Sequence, residues 1–264
     1  MIYCSILVTP EESDFDENGE IRTSRILHFY ELAAGVHVEE LGIGPDDLIK
    51  DDRMWVLSKV KVQYMTDENG ETCKKAFAPG KSIKVVTYPV SQKSVTFRRE
   101  FCILPGDSDY PINPAEDGSW VEGMQRPLKE DALLIGSSQW TILNFKTRKI
   151  ERTNYDFRTT EGEHELIEGR FEKIRGTDLK HIRDFVVPEV VIDRNMHMNN
   201  SHYIEIAQLA SGRRVEEYAY VNFAKETRAG DRILMYEEEQ EEGLYVEGRL
   251  GSEEGETVFQ TIFR

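Results

Sequence analysis

The sequence predicts an α+β fold built from two similar halves, each with one long apolar helix and several antiparallel strands. Three observations lead to this prediction. Apolar residues recur with a helical period in two separate stretches, one after residue 23 and one after residue 202. Alternating β-forming segments with short links follow the first stretch, and short links join antiparallel neighbours. Short segments of the first half also recur in the second.

The length and composition of the chain limit the kinds of protein it can be. It has 264 residues, 39% of them hydrophobic, and a formal net charge of −16. This length allows two domains, because domains cluster near about 100–150 residues. No apolar run approaches the ~18–20 residues that cross a bilayer, and the N-terminus lacks the basic segment of a signal peptide. The acidic balance argues against a nucleic-acid partner.

The cysteines are few and scattered. Cys4, Cys73 and Cys102 form no Cys-x-x-Cys pair. We therefore expect neither a disulfide framework nor a zinc site, and a reducing cytoplasm is the simplest location.

The elements of the first half can be predicted in order. Residues 1–10 are expected to form a strand and residues 11–20 a polar, acidic loop. A helix follows Thr23-Ser24 and runs to about Glu40, where Gly42 and the Gly44-Pro45 pair end it. Further segments predict strands at 54–65, 81–90, 94–104 and 132–145, a hairpin turn at 67–70 and a loop at 105–119.

The boundary between the halves is expected around residues 150–160. Residues 146–186 are highly charged, and we expect most of them to form a solvated surface segment. Residues 160–165 resemble an exposed linker in composition. The predicted domains are therefore residues 1–153 and residues 154–264.

The second half repeats short segments of the first. In both halves a long apolar helix precedes most of the strands, and a sheet wrapped around one central helix is the hot-dog arrangement. The matched segments are His28-Phe-Tyr-Glu31-Leu-Ala33 with His202-Tyr-Ile-Glu205-Ile-Ala207, Gly80-Lys-Ser-Ile83 with Gly230-Asp-Arg-Ile233, and the strand at 95–98 with the strand at 258–264.

Polar groups are concentrated just before the second helix. In an extended backbone Asp193, Asn195 and His197 would point the same way, because side chains alternate faces. The residues 199–201, Asn-Asn-Ser, are all good N-cap types at the start of the helical stripe. A helix start also offers unpaired N–H groups and a positive dipole end. Such a place can stabilise a developing oxyanion.

This stretch also resembles a known family. Asp193-x-Asn195-x-His197-x-Asn199-Asn200-x-x-Tyr203 is similar to the active-site motif of the acyl-acyl carrier protein (acyl-ACP) thioesterases. Three more segments resemble that family in the right order: its Trp-containing strand at 54–60, its strand ending in Lys/Glu-Thr-Arg at 138–149, and its second catalytic segment at 223–227. The resemblance implies two hot-dog units in tandem. It also implies a cytoplasmic enzyme without cofactor that releases fatty acids from acyl carrier protein and ends chain elongation.

The resemblance implies four catalytic positions, matched here by Asp193, Asn195, His197 and Glu226. His197 and Glu226 are candidates for general-base catalysis, because a carboxylate keeps a neighbouring imidazole basic and oriented. Asn195 could orient water or donate to an oxyanion, and Asp193 could fix the turn or polarise its neighbours. Whether a carboxylate attacks directly or activates water stays open.

Two departures from the simplest catalytic schemes are visible. Plant members of the family carry a cysteine just after the glutamate, whereas this chain has Thr227, so a Cys-His-Asn triad is not expected at that site. His197 and His202 are five residues apart, with no Cys partner and no His-Glu-x-x-His spacing. A metal site is therefore not expected.

The first half lacks the polar set. The repeat alignments place Ile21 and Thr23 opposite Asn195 and His197, and Ala76 opposite Glu226. We therefore expect the first half to be the acyl-binding domain and the second to be the catalytic domain. The candidates for the wall of the acyl tunnel are Met54 and Trp55.

The sequence also allows other classes of protein. The motif also satisfies the Asp-x-x-x-His-x-Asn-Asn pattern of hot-dog acyl-CoA thioesterases, and the chain could be an acyl-binding module without activity. A hot-dog hydratase fits less well, because its His lies further from the Asn. An acidic carrier protein would need a local basic patch, and the densest cluster is Lys146, Arg148, Lys149 and Arg152. A monomer and a homodimer are both compatible with the sequence.

Overall fold

A computed structural model describes residues 3–155, 165–193 and 195–264 of the chain. No helix among these residues is long and apolar enough to cross a membrane. The helices are α1 (Thr23–Glu40), α2 (Pro45–Leu48) and α3 (Ser201–Ser211). The strands are β1 (Cys4–Val8), β2 (Arg53–Tyr64), β3 (Ile83–Lys93), β4 (Thr96–Pro105), β5 (Leu134–Asn144), β6 (Lys149–Glu151), β7 (Lys180–Val186), β8 (Tyr218–Phe223), β9 (Arg232–Gln240), β10 (Gly243–Leu250) and β11 (Thr257–Phe263).

The strands form one antiparallel sheet that runs through both halves. Its order is β1-β3-β4-β5-β2-β8-β11-β10-β9-β7, and the short β6 pairs with β5. The halves meet where β2 pairs with β8, from Lys59 opposite Asn222 to Gln63 opposite Tyr218. From its outer edge inward the first half has the order β1-β3-β4-β5-β2, and the second half has the order β7-β9-β10-β11-β8. The strands of each half therefore follow the same order along the chain. The α+β class and the antiparallel strands predicted from the sequence are therefore confirmed.

Helix α1 forms where its apolar period predicts, and its buried face fixes it to the sheet. Ile26, Phe29 and Ala33 are buried, and the Tyr30 ring stacks on the Phe101 ring of β4 with 4.1 Å between centroids. Gly136 of β5 lies under the same tyrosine, and a Cβ there would collide with the Tyr30 ring. Each such large buried side chain stabilises the fold by roughly 1.5–3 kcal/mol.

The two long helices share one core. Helix α3 buries Tyr203, Ile206 and Ala207, and the Tyr203 ring packs against the ring of Phe259 in β11. Both helices contribute to one continuous apolar cluster, and α1 also contacts α3 directly. The start of α3 is therefore held against the middle of α1, which positions the site described below.

Most of the described residues in the charged region are exposed or half-buried, as predicted, but the region contains two features that the sequence did not indicate. The charged region at 146–186 contains strand β7, whose Ile182 and Phe185 pack against the core while its charged residues face outward at the edge of the sheet. It also contains Leu166 and Ile167, which are buried in a second apolar cluster. The predicted linker at 160–165 lies outside the described residues, except for Glu165. The division at residue 153 stays a prediction.

The predicted match between the strand at 95–98 and the strand at 258–264 is wrong, because the two occupy neighbouring and not equivalent places in the repeated strand order. The repeated order pairs β3 with β9, β4 with β10 and β5 with β11. The segment at 95–98 therefore corresponds to β10, and not to the terminal segment at 258–264. Buried apolar residues occur in all of these strands, so their presence alone did not distinguish neighbours.

Candidate active site

The turn at residues 193–197 is closed by the Asp193 side chain and by backbone hydrogen bonds. Asp193 Oδ1 accepts from the backbone N–H of Asn195 at 2.7 Å and of His197 at 3.3 Å. The backbone N–H of Asp193 donates to His197 O at 2.9 Å, and Met196 has a left-handed φ of 66°. A short aspartate side chain favours such turns by bonding its own backbone. The segment is therefore a turn, and the extended backbone assumed for Asp193, Asn195 and His197 is wrong.

The candidate residues form two contacting pairs. Asn195 is exposed, and its Nδ2 donates to Asp193 Oδ2 at 3.3 Å. His197 Nε2 lies 3.2 Å from Glu226 Oε2. The two segments are joined by the Met198 N–H, which donates to the Thr227 carbonyl at 2.8 Å. The structure thus brings the side chains of His197 and Glu226 into contact, and groups Asp193 with Asn195.

Arg148 is a member of this site that the sequence assigned only to a basic cluster. Its Nη2 lies 3.0 Å from Glu226 Oε2, the same oxygen that faces His197. Arg148 belongs to the turn between β5 and β6, so the first half contributes to the site. An exposed pair of this kind contributes about 0–1 kcal/mol to stability, so its main consequence is the orientation of the Glu226 carboxylate.

The start of α3 reaches the first half through Asn199. Its Oδ1 accepts from the Ser201 N–H at 2.8 Å and from the Ser201 hydroxyl at 2.6 Å, which fixes the turn just before the N-cap residue Asn200. Its Nδ2 donates to Glu31 Oε2 of α1 at 3.3 Å. Burial raises the pKa of the Glu31 carboxyl to about 7, and the negative charge of Asp193 acts in the same direction. In the sequence, Glu31 is distinguished only by its match with Glu205 in the repeated segment.

Thr227 and the cysteines do not offer a nucleophile. Thr227 is fully buried, and its hydroxyl contacts the Tyr203 hydroxyl at 3.1 Å. Burial raises the pKa of the Cys4 and Cys102 thiols to about 12 and also raises that of Cys73. Thiols in such surroundings are poor nucleophiles. Among the described residues, no three His, Cys, Asp or Glu side chains are placed to hold a metal ion.

An apolar cavity of about 250 Å³ lies between α1 and the strands of the first half. Glu31 lies on its wall, together with Ala34 and Gly35 from the next turn of α1. Trp55 is part of the wall and donates its Nε1–H to the Ile43 carbonyl at 2.9 Å, whereas Met54 is not among the lining residues. Because Glu31 also contacts Asn199, the cavity borders the loop that carries His197.

The chain has the fold of solved acyl-ACP thioesterases over nearly its whole length. One such enzyme, from Bacteroides thetaiotaomicron, has a TM-score of 0.75 at 19% identity, with 99% of this chain and 98% of that chain covered. A putative oleoyl thioesterase from Lactobacillus plantarum has a TM-score of 0.72 at 14% identity, with coverage of 99% and 94%. The 12:0-ACP thioesterase from Umbellularia californica has a TM-score of 0.70 at 12% identity, with coverage of 99% and 96%. No protein-family model and no curated protein matches the sequence.

Proposed function

We propose that this chain hydrolyses fatty acyl thioesters carried by acyl carrier protein, and so ends chain elongation by releasing a free fatty acid. The observation that supports this most directly is the 3.2 Å contact between His197 and Glu226, formed by the two segments that resemble the family's catalytic motifs. The proposal includes a tandem hot-dog architecture, with residues 1–153 binding the acyl chain and residues 154–264 carrying the catalytic groups.

The chemistry requires a proton acceptor, an oxyanion donor and a proton for the leaving sulfur. His197, supported by Glu226, exchanges protons with water or with the thiolate. The exposed Asn195 amide can donate a hydrogen bond to the negative oxygen of the tetrahedral intermediate. Asp193 shapes the turn that presents these groups. This scheme uses no metal and no cofactor.

The acyl chain occupies the cavity beside α1. Trp55, Phe97 and Trp140 supply apolar surface there, which is the lining that a hydrocarbon chain requires.

The experiment that tests the function is product profiling with purified protein and a panel of acyl-ACP and acyl-CoA thioesters of different chain lengths. Release of free thiol and fatty acid supports the proposal, and binding without release would show an acyl-binding module.

The carrier protein is expected to dock on the exposed basic residues beside the site. Charge reversal of Lys149 and Arg152 should raise KM for acyl-ACP and leave acyl-CoA hydrolysis unchanged, because only the carrier presents a large acidic surface. Arg148 is left intact, because it contacts Glu226. The matched control is Lys129→Glu, an exposed lysine before the opposite end of β5. An equal effect on both substrates, or none on either, would contradict docking at these residues.

Activity is expected to withstand thiol alkylation and EDTA. Iodoacetamide reacts with thiolates, and the raised pKa values of Cys4 and Cys102 keep these buried thiols protonated. Mass spectrometry of the treated protein, read against residual turnover, checks the prediction. Stoichiometric loss of activity on modification of Cys73, with the fold intact, would contradict it.

A further inference from the structure

Helices α1 and α3 carry equivalent carboxylates, and each points toward the other half. Glu31 and Glu205 occupy matching places in the repeated segments His28-Phe-Tyr-Glu31 and His202-Tyr-Ile-Glu205. Glu31 Oε2 accepts from Asn199, which lies just before α3. Glu205 Oε1 lies 3.5 Å from Nη1 of Arg22, which lies just before α1. Each long helix thus supplies a carboxylate to the N-terminal end of the other helix.

The surroundings of these two carboxylates differ. Glu205 contacts the Arg22 guanidinium and lies 3.1 Å from His202 Nδ1, and its pKa is lowered, with the His202 hydrogen bond as the largest cause. Glu31 has the neutral Asn199 amide as its hydrogen-bond donor. In the part of the chain that the structure describes, no Lys, Arg or His nitrogen lies within 4.0 Å of the Glu31 carboxylate. Glu205 therefore forms an ion pair with Arg22, whereas the Glu31 carboxylate has no such cation partner and can exchange a proton.

The position of Glu31 joins the acyl cavity to the loop that carries the candidate catalytic residues. Glu31 is one of the residues that line the cavity, and its hydrogen-bond donor Asn199 lies two residues after His197. A thioester with its acyl chain in the cavity and its carbonyl near His197 would pass Glu31. A carboxyl with a pKa near 7 is well suited to accept a proton at neutral pH, because the ionised form is available and remains basic.

We propose that Glu31, supplied by the first half, is the general base of the site in the second half. This inference rests on the proposed thioester hydrolysis. The Glu31 carboxylate takes one proton from water, and the water oxygen forms a bond to the thioester carbonyl carbon while the π electrons move to the carbonyl oxygen. Collapse of that intermediate breaks the C–S bond, and the sulfur leaves with its electron pair and takes up a proton. The products are a carboxylic acid and a thiol.

In this assignment two carboxylates have different roles, Glu31 as the general base and Glu226 as the partner of His197. Glu226, held by Arg148, faces His197 and orients the imidazole, which can donate a proton to the leaving sulfur. Glu31 returns its proton to solvent or to His197, which restores the starting state. The site is therefore composite, and neither half carries the complete set of groups.

The test compares Glu31→Gln with wild type and with the matched variant Glu205→Gln, using acyl-ACP of one chain length over pH 5–9. Glutamine keeps the shape of Glu31 and can still accept from Asn199, but it cannot take a proton. We expect Glu31→Gln to lower kcat by about 10²–10⁴ with KM within a few-fold, and Glu205→Gln to stay within about threefold of wild type. Glu31→Asp should recover part of the loss.

The pH profile separates a base from a structural group. In wild type, kcat/KM should rise with pH through an acid limb near 7, and Glu31→Gln should lack that limb.

The melting temperature shows whether the Glu31→Gln variant is folded. The raised pKa means that ionised Glu31 destabilises the fold, a cost absent below about pH 4.5 and complete above about pH 7, so the Gln variant should melt higher at pH 8 and equally at pH 4.

The outcomes distinguish this inference from the proposed function. Wild-type hydrolysis together with near-normal turnover in Glu31→Gln, or an unchanged acid limb, would overturn the role of Glu31 alone. If wild type released no thiol from any acyl thioester, the proposed function itself would fail. An equal loss in Glu31→Gln and Glu205→Gln would indicate structural roles for both and would also overturn the inference.

Discussion

Replacing His197 with alanine is expected to lower kcat for acyl-ACP by about 10²–10⁴, the range for losing a group that transfers protons in the transition state. The imidazole is the side chain that links Glu226 to the turn, so its removal leaves the proton for the leaving sulfur without a donor. The measurement is single-turnover release of free thiol. Adding the substitution Glu226→Gln to His197→Ala should not lower the residual rate further, because His197 and Glu226 act together.

The fold should survive this substitution, because the turn is closed by atoms that the variant keeps. The His197 backbone still donates to Asp193 and accepts from it, and the Met198 N–H still reaches the Thr227 carbonyl. His181 is the matched control, since it contacts Asp184 at 2.8 Å on the edge strand β7, in a comparable imidazole–carboxylate pair. His181→Ala should retain activity. Wild-type turnover in His197→Ala would exclude His197 from catalysis.

The sequence predicted those parts of the fold that depend on local patterns. The apolar period of α1 placed Ile26, Phe29 and Ala33 on its buried face. Strand β7 was missed because charged residues separate Ile182 from Phe185, and an edge strand needs only part of its surface to be apolar. Local patterns also did not identify the partner of each strand, since β4 and β11 are both rich in buried apolar residues but occupy different places in the sheet.

The candidate site was predicted to the extent that its residues lie in short motifs. His197 and Glu226 came from two motif segments, and the structure places their side chains in contact. Arg148 lies 78 residues from Glu226, and Glu31 lies 168 residues from Asn199. Such contacts depend on how the β5–β6 turn meets the end of β8 and how α1 crosses the start of α3. No spacing rule in the sequence encodes either arrangement.

Glu226→Gln is expected to remove most turnover, on the order of 10²-fold or more, because the amide keeps the size of the side chain but not the charge that supports His197. Glu226 Oε2 receives contacts from both His197 and Arg148, so the substitution also leaves Arg148 without its carboxylate partner. Glu256→Gln is the matched control, since Glu256 pairs with the neighbouring Lys225 in an exposed position. That variant should keep wild-type rates.

The same variant tests whether the two halves carry one site or two. The first-half positions that match the polar set are Ile21, Thr23 and Ala76, and the first two are buried. None of these side chains can take a proton from water near neutral pH. Because the cavity wall comes from the first half, Glu226→Gln should still bind the acyl group, and a bound, unhydrolysed thioester should titrate at about one equivalent per chain. Two equivalents, or half of the wild-type rate remaining, would require a second site built around the start of α1.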